Sequence, residues 1–342
     1  MHISEFDYDL PDDLIAQKPL EERQGSRMLI VERKTKKLTD AAFADFPSLL
    51  MASDVLVINN TRVFPARLFG RLTTGAAIEI FLIRDLGENI WEALARPGRR
   101  LKPGKTVLFD ERLQARVVEK LDEGKILIEM VSDGDPIELI DEIGVTPLPP
   151  YIRRDPGIDL DSERYQTVFA KNRGAIAAPT AGLHFTPQVF ADIRGRGVSI
   201  AEVTLHVGYG TFEPVRVDDM TKHSVSAERY EIDENTAEIL NKAKAARQRI
   251  VAVGTTTTRA LEANFAANGE FVAGQALADL TVTPGYEFRA IDALLTNFHL
   301  PQSSLLVLTS SFGGHELVMD AYRHAVRERY RFYSYGDCML IV

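Results

Sequence analysis

The sequence predicts an α/β (α+β) body into which an all-β barrel domain is inserted. Three observations lead to this fold class: short alternating apolar runs within residues 62–151, turn-forming pairs between those runs, and alternating strand-like and helix-like patterns elsewhere. The sequence therefore predicts two domains. One is a discontinuous α/β domain formed by residues 1–61 and 152–342, and the other is the inserted β-barrel domain of residues 62–151.

The barrel strands are predicted from apolar residues at every second position. Successive side chains of a strand point to opposite faces, so this period gives each strand one buried face. The alternating residues are Ile78, Ile80 and Leu82, then Val107 and Phe109, then Ile126, Ile128 and Met130. Turn signals separate the runs at the spacing of a barrel or sandwich. They are Thr74-Gly75, Pro103-Gly104, Glu123-Gly124 and Asp133-Gly134.

Strands and helices alternate in the remainder of the chain. A strand is predicted at 250–253 and a helix at 258–267. Thr186-Pro187 predicts another helix start, because proline suits the first helical turn. A last helix is predicted at 316–329, where small or apolar residues recur at every fourth position. The polar segment 296–304 is predicted to be a turn between two apolar strands.

The composition is that of an ordinary globular protein. The chain has 342 residues, of which 45% are hydrophobic and 26% charged, and it is long enough to bury a sizeable core. Its longest apolar runs are far below the roughly 20 residues of a membrane-spanning helix, and its N-terminus lacks the features of an export signal. The single cysteine, Cys338, can form no internal disulfide. We therefore expect a cytoplasmic protein without a membrane partner.

The distribution of charge restricts how the chain can contact nucleic acid. The formal net charge of -9 opposes nonspecific attraction to a polyanion, so any such contact must be focal. The segment 96–105 carries five cations on turn-forming backbone, although a solvated hairpin loop is an alternative. A second basic pair follows the Pro147-Leu148-Pro149-Pro150 run, where a plain linker is the alternative. The candidates for binding nucleic-acid phosphates are Arg96, Arg99, Arg100, Lys102, Lys105, Arg153 and Arg154.

Four short segments of the α/β part are dense in small, hydroxyl-bearing and histidine residues. They span 177–185, 204–212, 253–259 and 296–304. The first precedes a predicted helix start, whose free amides can hold an anion, and the second contains two glycines that let a ligand approach the backbone. The hydroxyls of the third can orient a ribose or a phosphate. The candidate binding residues are Thr180, Gly182, Phe185, Gly208, Tyr209, Gly210, Thr211, Gly254, Thr255, Thr256, Arg259, Asn297 and Phe298.

Three histidines in these segments are candidates for proton transfer, namely His184, His206 and His299. A neutral imidazole near pH 7 can both accept and donate a proton. Each has a structural alternative, because a lone histidine is more often a hydrogen-bonded structural residue than a catalyst. The threonine run is also consistent with a helix cap, and Gly208-Tyr209-Gly210 with a simple bulge.

Several familiar signatures do not occur in the sequence. It has no Walker phosphate loop, no His-Glu-x-x-His zinc motif and no Cys-x-x-Cys pair, so we expect neither a metal nor ATP. Gly208-x-Gly210 lacks the third glycine of a dinucleotide fingerprint, which weakens an interpretation as a methyltransferase. Glu228 nevertheless lies about the right distance downstream to contact a ribose.

Together, the segments resemble one family, the S-adenosylmethionine:tRNA ribosyltransferase-isomerases of queuosine biosynthesis. The resemblance covers essentially the whole chain, and so many segments in the right order make it specific. They include Phe6-Asp7-Tyr8, Asn59-Asn60-Thr61-Arg62-Val63, Pro147-Leu148-Pro149-Pro150-Tyr151-Ile152, Ala178-Pro179-Thr180-Ala181-Gly182-Leu183-His184-Phe185, Thr204-Leu205-His206-Val207-Gly208, Val253-Gly254-Thr255-Thr256 and Thr296-Asn297-Phe298-His299-Leu300-Pro301. Two departures occur. Ser226 stands where a second histidine after His223 is expected, and Gln302 and Ser304 replace an expected basic residue and threonine.

The resemblance implies an α/β body with an inserted barrel, and it implies a reaction. Members of this family transfer the ribosyl part of S-adenosylmethionine to the aminomethyl group of a 7-deazaguanine at the tRNA wobble position. Adenine and methionine are released, and the new ring carries an epoxide. S-adenosylmethionine is thus an implied co-substrate, tRNA is the implied partner, and no cofactor is implied. We expect the protein to be a monomer.

The reaction also suggests roles for the candidate residues. A base must remove a C5′ proton acidified by the sulfonium, and a donor must help adenine leave. The residues predicted to surround the ribose are His184, His206, His299 and Glu228. Arg259 is predicted to bind the donor's methionine carboxylate. The rings predicted to hold the unstacked base are Phe185, Tyr209 and Phe298.

Each of these roles has an alternative. Glu228 is also consistent with a surface carboxylate, Arg259 with a helix-surface residue, and each aromatic ring with burial in the core. Two other functions stay open at this point. The chain could be an S-adenosylmethionine-dependent tRNA base methyltransferase, or a noncatalytic RNA-binding module whose polar turns only fix loops.

Overall fold

The computed structural model describes residues 1–153, 159–212 and 215–342 of the chain. Its strands are β1 (Arg27–Glu32), β2 (Lys37–Ala42), β3 (Val55–Asn59), β4 (Thr61–Val63), β5 (Arg67–Leu72), β6 (Ala77–Asp85), β7 (Ile90–Arg96), β8 (Thr106–Leu108), β9 (Leu113–Lys120), β10 (Lys125–Ser132), β11 (Asn172–Ala175), β12 (Ser199–Leu205), β13 (Glu228–Ile232), β14 (Ile250–Val253), β15 (Gly274–Ala278), β16 (Ala293–Asn297) and β17 (Cys338–Ile341). Its α-helices are α1 (Pro136–Ile143), α2 (Asp159–Arg164), α3 (Pro187–Gly195), α4 (Glu234–Ala245), α5 (Thr255–Asn268), α6 (Ser304–Gly313) and α7 (His315–Arg327).

A nine-stranded mixed sheet forms the centre of the α/β body. Its strand order is β15-β13-β12-β3-β14-β16-β17-β1-β2. The four strands β12, β3, β14 and β16 are mutually parallel neighbours, and β3, β14 and β16 are buried along their whole length. Continuous burial is typical of parallel strands covered on both faces. The carboxyl ends of these four strands therefore meet at one edge of the sheet.

The inserted region forms a closed six-stranded barrel with the order β10-β7-β6-β5-β8-β9. The alternating residues point inward as predicted: Ile78, Ile80 and Leu82 are at most 2% exposed, while their neighbours on β6 are more accessible. Closure satisfies the backbone hydrogen bonds that an open edge would leave unpaired. The barrel and the mixed α/β body together confirm the predicted fold class.

The two parts of the chain are closely connected. Helix α1 packs its buried residues into the barrel core, and that same core contains Ile176 from the body. Strand β4, directly before the barrel strands, pairs with β11 of the body in a separate two-stranded sheet. The division at residues 62 and 151 stays a prediction.

The predicted helices are present with shifted ends. Helix α5 begins at Thr255 rather than Thr258. It follows Gly254, whose positive φ of 92° is a backbone conformation that favours glycine. Helix α3 begins at Pro187, and the Thr186 side chain accepts a hydrogen bond from the Val189 amide, as an N-cap does. None of the helices in the described ranges is both long and apolar enough to cross a membrane.

One element was predicted wrongly. The apolar run from Leu305 to Leu308 is not a strand but part of α6, which the Ser303 side chain caps at its start. A four-residue apolar run has no periodicity that distinguishes a strand from a buried helix. The serine before it was the signal for a helix, because its hydroxyl accepts the Leu306 amide hydrogen bond.

Candidate active site

The four polar segments converge at the carboxyl edge of the parallel strands. Segments 177–185, 253–259 and 296–304 all contribute to one small cavity, here called the central cavity, and Val207 of the fourth segment also lines it. A crevice at the carboxyl ends of parallel strands is where open α/β sheets bind their ligands. The convergence follows from the sheet order, since β12, β14 and β16 deliver their following turns to the same edge.

Two further cavities adjoin the central one. The side cavity, of about 210 Å³, shares Thr255, Thr256 and Tyr333 with it. The interdomain cavity, of about 410 Å³, lies between the barrel and the body and shares Gly210 and Glu228 with the side cavity. A larger cavity of about 1190 Å³ lies on the barrel. Of the predicted site residues it contains Arg96 alone, so we place the site at the three linked cavities.

The start of α5 forms one wall of the central and side cavities. No side chain caps this helix at Gly254, so its first amides face this region without a side-chain partner. The hydroxyls of Thr257 and Thr258 donate back to the carbonyls of Val253 and Gly254. Only the first two threonines of the run, Thr255 and Thr256, line the cavities.

His184 lies behind the central cavity rather than in it. Its ring is 3% exposed, and its Nδ1 lies 2.9 Å from the Ser26 hydroxyl. Its Nε2 lies 3.3 Å from the Asn297 side-chain oxygen, and the amide nitrogen of Asn297 donates to the Tyr333 carbonyl. Both ring nitrogens are thus engaged, and burial lowers the pKa of His184 to about 4.

His299 lines the central cavity directly. Its Nε2 lies 2.9 Å from the Thr296 hydroxyl, and its backbone is held by hydrogen bonds with Tyr8 and Tyr322. Burial lowers its pKa to about 3, so the ring is neutral at pH 7. A neutral imidazole in a polar cavity retains the capacity to accept or donate a proton.

His206 faces the interdomain cavity. Its Nδ1 lies 2.8 Å from the Thr61 hydroxyl. Gly208, Tyr209 and Gly210 line the same cavity. Burial lowers the pKa of His206, and the nearby Arg229 adds to the effect while Glu231 opposes it. The ring is only half-buried, so one side remains open to a ligand.

Glu228 and Arg259 form a buried ion pair between the side and interdomain cavities. Glu228 also accepts the Gly208 amide hydrogen bond. The remaining Arg259 nitrogens donate to backbone carbonyls, those of Ser226, Ala278 and Leu280. These bonds use four of its five donors, and Glu228 already neutralises its charge, so the geometry favours a structural role for Arg259; its contact with a donor carboxylate stays a prediction. Burial raises the pKa of Glu228 although Arg259 and the Gly208 amide counteract the rise.

The aromatic and small candidates separate into two groups. Tyr209 lines the interdomain cavity and contacts Phe81 of the barrel, with ring centroids 5.9 Å apart. Phe298 touches the central cavity but is fully buried. Phe185 is also fully buried, in a cluster of aromatic rings with Phe43, Phe46 and Phe190, so it cannot stack on a base. Because no face of the Phe185 ring is exposed, the structure does not support its predicted role of holding the unstacked base.

The remaining small candidates also differ in position. Thr180 lines the central cavity. Gly182 packs against Phe169, where a Cβ would approach the ring within 2.7 Å, so this glycine serves packing. Thr211 belongs to a short turn, Tyr209–Phe212, and its side chain lies outside the described part of the structure.

The five basic residues of segment 96–105 are all exposed on the barrel. Within the described residues none of them forms an ion pair, whereas Arg153 has an exposed partner, Asp12, at 3.5 Å. Unpaired exposed cations are available to phosphates. Arg154 lies outside the described residues.

Two neighbours of the site were missed as site residues by the sequence interpretation. Asn59 donates to the Leu205 carbonyl and to the Thr256 hydroxyl, and Thr61 bonds His206. Asn59 ends the fully buried strand β3 and Thr61 follows it, and polar residues at such a strand end are a signal for a ligand-facing edge. In the sequence they contribute to the family resemblance and lie at the predicted domain boundary after residue 61. Ser304, one of the departures, bonds His223 at 2.7 Å, and Gln302 donates to Asp7.

The described residues contain no group of three or more histidine, cysteine, aspartate or glutamate side chains arranged to hold a metal ion.

Comparisons with known proteins agree over nearly the whole chain. A family model described as queuosine biosynthesis protein matches residues 3–341. A protein of Syntrophotalea carbinolica named S-adenosylmethionine:tRNA ribosyltransferase-isomerase is 47% identical over 344 residues, covering 100% of both chains. A protein of the same name from Heliobacterium modesticaldum is 48% identical over 345 residues, again covering 100% of both. A crystal structure titled S-adenosylmethionine tRNA ribosyltransferase, from Thermotoga maritima, is 37% identical, covers 99% of this chain and 100% of its own, and superposes with a TM-score of 0.56.

Proposed function

The chain belongs to the queuosine biosynthesis protein family, and from that membership we propose the reaction it catalyses. It transfers and isomerises the ribosyl moiety of S-adenosylmethionine onto the aminomethyl group of 7-aminomethyl-7-deazaguanine at the tRNA wobble position. The products are epoxyqueuosine-tRNA, adenine and methionine. The chain is thus an enzyme that combines transferase and isomerase chemistry. The observation that carries the proposal is that the four polar segments converge on linked cavities beside the barrel.

The central and side cavities are the proposed donor site. The uncapped start of α5 carries free amides and the positive end of a helix dipole, which favour an anion. Thr255 and Thr256 add hydroxyls at the same point. Since Arg259 is occupied by Glu228, the donor's carboxylate is better served by this helix start than by the arginine.

The interdomain cavity is the proposed site of the acceptor base. Its volume of about 410 Å³ lies within the usual range of small-molecule sites, roughly 300–1,000 Å³. Tyr209 offers an aromatic face there, and enzymes that modify a base commonly hold it unstacked against such faces. Segment 96–105, here called the basic loop, lies on the same barrel and supplies cations for the backbone phosphates of the tRNA.

His299 is the histidine that we place beside the departing adenine, because it alone of the three candidates lines the central cavity. His184 and Glu228 act through their neighbours in this proposal. His184 holds Asn297, which lines the cavity, and Glu228 holds the Gly208 amide. Both are therefore positioning residues.

Product analysis tests the proposed reaction. Purified protein, S-adenosylmethionine labelled in its adenine, and tRNA bearing the 7-deazaguanine should release free adenine and methionine in equal amounts. A tRNA methyltransferase would instead produce S-adenosylhomocysteine and keep the adenine attached. A noncatalytic RNA-binding module would leave the donor intact. Either of these outcomes would refute the proposal.

Reversing charges on the basic loop should weaken tRNA binding. We expect the Arg99→Glu/Arg100→Glu variant to bind tRNA less tightly and with a flatter salt dependence, because each lost phosphate contact lowers the slope of log K against log salt by roughly 0.7–0.9. Filter binding across a salt series measures this slope. Lys34→Glu/Lys36→Glu is a matched control, since both lysines are exposed on the β1–β2 turn. Equal slopes for both variants would exclude the loop from the RNA contact.

The predicted cytoplasmic location and the predicted monomer suit a tRNA-modifying enzyme, and both stay predictions.

A further inference from the structure

We propose that His206 is the base that removes the C5′ proton of the donor, and that Thr61 and Gly174 are positioning residues that prepare it. This inference rests on the proposed function and deepens it, because it selects one of three histidines.

The contacts of the Thr61 hydroxyl are compatible with the His206 tautomer that a base requires. The Thr61 hydroxyl lies 2.8 Å from the His206 Nδ1 and 3.4 Å from the Asn172 carbonyl oxygen. A hydroxyl has one proton to donate, and a carbonyl can only accept. In the proposed arrangement the Thr61 hydroxyl directs its proton to Asn172 and accepts the Nδ1–H of His206. In this neutral tautomer Nε2 carries the lone pair that a base requires.

Thr61 is itself rigidly held. Its side chain is fully buried, its backbone lies in β4, which pairs with β11, and its amide donates to the Asn59 side-chain oxygen. A hydroxyl on a fixed backbone orients the imidazole without the entropic cost of ordering a mobile side chain. The position of Nδ1 is therefore set by the fold.

Gly174 fixes the ring from its face. A Cβ built on Gly174 would lie 2.7 Å from both Cε1 and Nδ1 of His206 and 2.9 Å from Cγ. Real Cβ atoms do not approach other heavy atoms this closely, so any other residue would displace the ring. The absence of a side chain at residue 174 is what allows His206 to lie against β11.

The other two histidines are less suited to this step. His184 has partners on both ring nitrogens and is 3% exposed, so neither nitrogen is free to take a proton. His299 lines the central cavity, whose lining shares no residue with that of the interdomain cavity. His206 lines the interdomain cavity together with Gly210 and Glu228. Those two residues also line the side cavity, so the ring lies next to the junction where donor and acceptor would meet.

The charges around His206 leave it neutral at pH 7. Burial and Arg229 lower the pKa of His206, and Glu231 on the same strand opposes them. Glu228 of this strand is paired with Arg259. A base that is unprotonated at the working pH is available for proton abstraction.

The barrel and β11 contribute further charges to the cavity, and these are mostly paired. Glu92 forms ion pairs with Arg84 and Lys125, and Arg173 pairs with Asp141 of α1. Asp85 of β6 also lines the cavity.

The proposed step is a single proton transfer. The Nε2 lone pair forms a bond to a C5′ hydrogen of the donor, and the electron pair of that C–H bond remains on C5′, next to the sulfonium. His206 becomes an imidazolium whose Nδ1–H still donates to Thr61. The sulfonium stabilises the adjacent carbanion by its positive charge, so no oxidant or further reactant is needed.

The test compares substitutions at the base and at its two positioning residues. His206→Gln should lower the rate of adenine release by about 10²–10⁴-fold, the usual contribution of a general base. Gly174→Ala should lower it by about 100-fold, as expected for a displacement on the order of 1 Å. Thr61→Val should lower kcat with the Kd of the donor unchanged, and Thr61→Ser should restore it.

Two further readouts separate positioning from a merely structural role. Donor deuterated at C5′ should show a larger isotope effect on kcat in Thr61→Val and Gly174→Ala than in the unaltered protein, because proton removal becomes more rate-limiting. Nitrogen-15 spectra of the histidine rings should show His206 as the Nδ1–H tautomer in the unaltered protein and in Thr61→Ser, and as a mixture in Thr61→Val.

Matched controls account for general effects of the substitutions. Thr309→Val removes another buried hydroxyl, which donates only to the Leu305 carbonyl, and Gly195→Ala adds a Cβ where no atom lies within 4 Å. Both should turn over normally. The inference is overturned if His206→Gln releases adenine at the unaltered rate, or if Thr61→Val keeps the tautomer, the rate and the isotope effect. If the unaltered protein releases no adenine at all, it is the proposed function that fails.

Discussion

The protein should lose stability steeply as the pH falls from about 6.5 towards 4. Burial lowers the pKa of His184 to about 4 and that of His299 to about 3, from 6.5 in the unfolded chain. Below pH 6.5 the unfolded chain therefore binds protons that the folded protein does not, which favours unfolding. The stabilisation is complete above pH 6.5. It decreases by about 1.4 kcal/mol per pH unit for each ring as the pH falls.

The two rings together should remove roughly 6–7 kcal/mol between pH 6.5 and 4, which is a large part of a typical total of about 5–15 kcal/mol. Urea unfolding at half-unit pH intervals measures the slope of the unfolding free energy. His184→Gln and His299→Gln should each flatten that slope by about 1.4 kcal/mol per pH unit, whatever their stability at pH 7. His2→Gln, at an exposed position, should leave the slope unchanged. Slopes that do not respond to the buried histidines would contradict the assignment.

The barrel and the major helices could be predicted because their signals are local. Period-two apolarity in β6 and β10 maps directly onto alternating burial, and Thr186-Pro187 marks the start of α3. The start of α6 was mistaken for a strand because its consecutive residues Leu306 to Ser310 are all buried, so its sequence shows no helical period of apolar residues. Apolar periodicity thus predicts a helix or strand well when one of its faces is exposed to solvent, and poorly when the whole element is buried.

The positions of the candidate residues follow the same logic at longer range. Segments that follow parallel strands meet at one edge of the sheet, so their convergence could be anticipated from α/β order. The partners of individual side chains could not. Arg259 and Glu228 are 31 residues apart along the chain, and nothing in either segment indicates that one neutralises the other. Phe185 follows a candidate histidine directly but points into an aromatic core.

Neutral histidines are a consequence of this architecture. The turns that carry His184 and His299 lie against fully buried strands, so both imidazole rings are desolvated. Desolvation disfavours the protonated form and lowers the pKa of each ring. His206 instead lies at the boundary between barrel and body, where a cavity keeps one side of the ring accessible. The same sheet edge thereby provides one ring that holds a neighbour in place, His184, and two rings that line cavities, His299 and His206.

Breaking the buried ion pair should cost more than any surface substitution. Arg259→Met should lower the unfolding free energy at pH 7 by about 3–5 kcal/mol, because it leaves the Glu228 carboxylate buried without its cation. The side chains are only 8% and 6% exposed, so water cannot replace the arginine. Chemical denaturation at pH 7 and at pH 5 measures the loss. It should be smaller at pH 5, since burial already raises the pKa of Glu228 and protonation removes the unpaired charge.

The double variant Arg259→Met/Glu228→Gln separates the pair from its surroundings. Removing both charges should restore much of the stability that Arg259→Met loses, because a buried pair owes most of its apparent strength to the penalty of leaving one partner alone. Arg323→Met is the matched control. It breaks an exposed pair with Asp320 and should change stability little, as solvent-screened pairs do. A single Arg259→Met variant as stable as this control would show that Glu228 does not depend on Arg259.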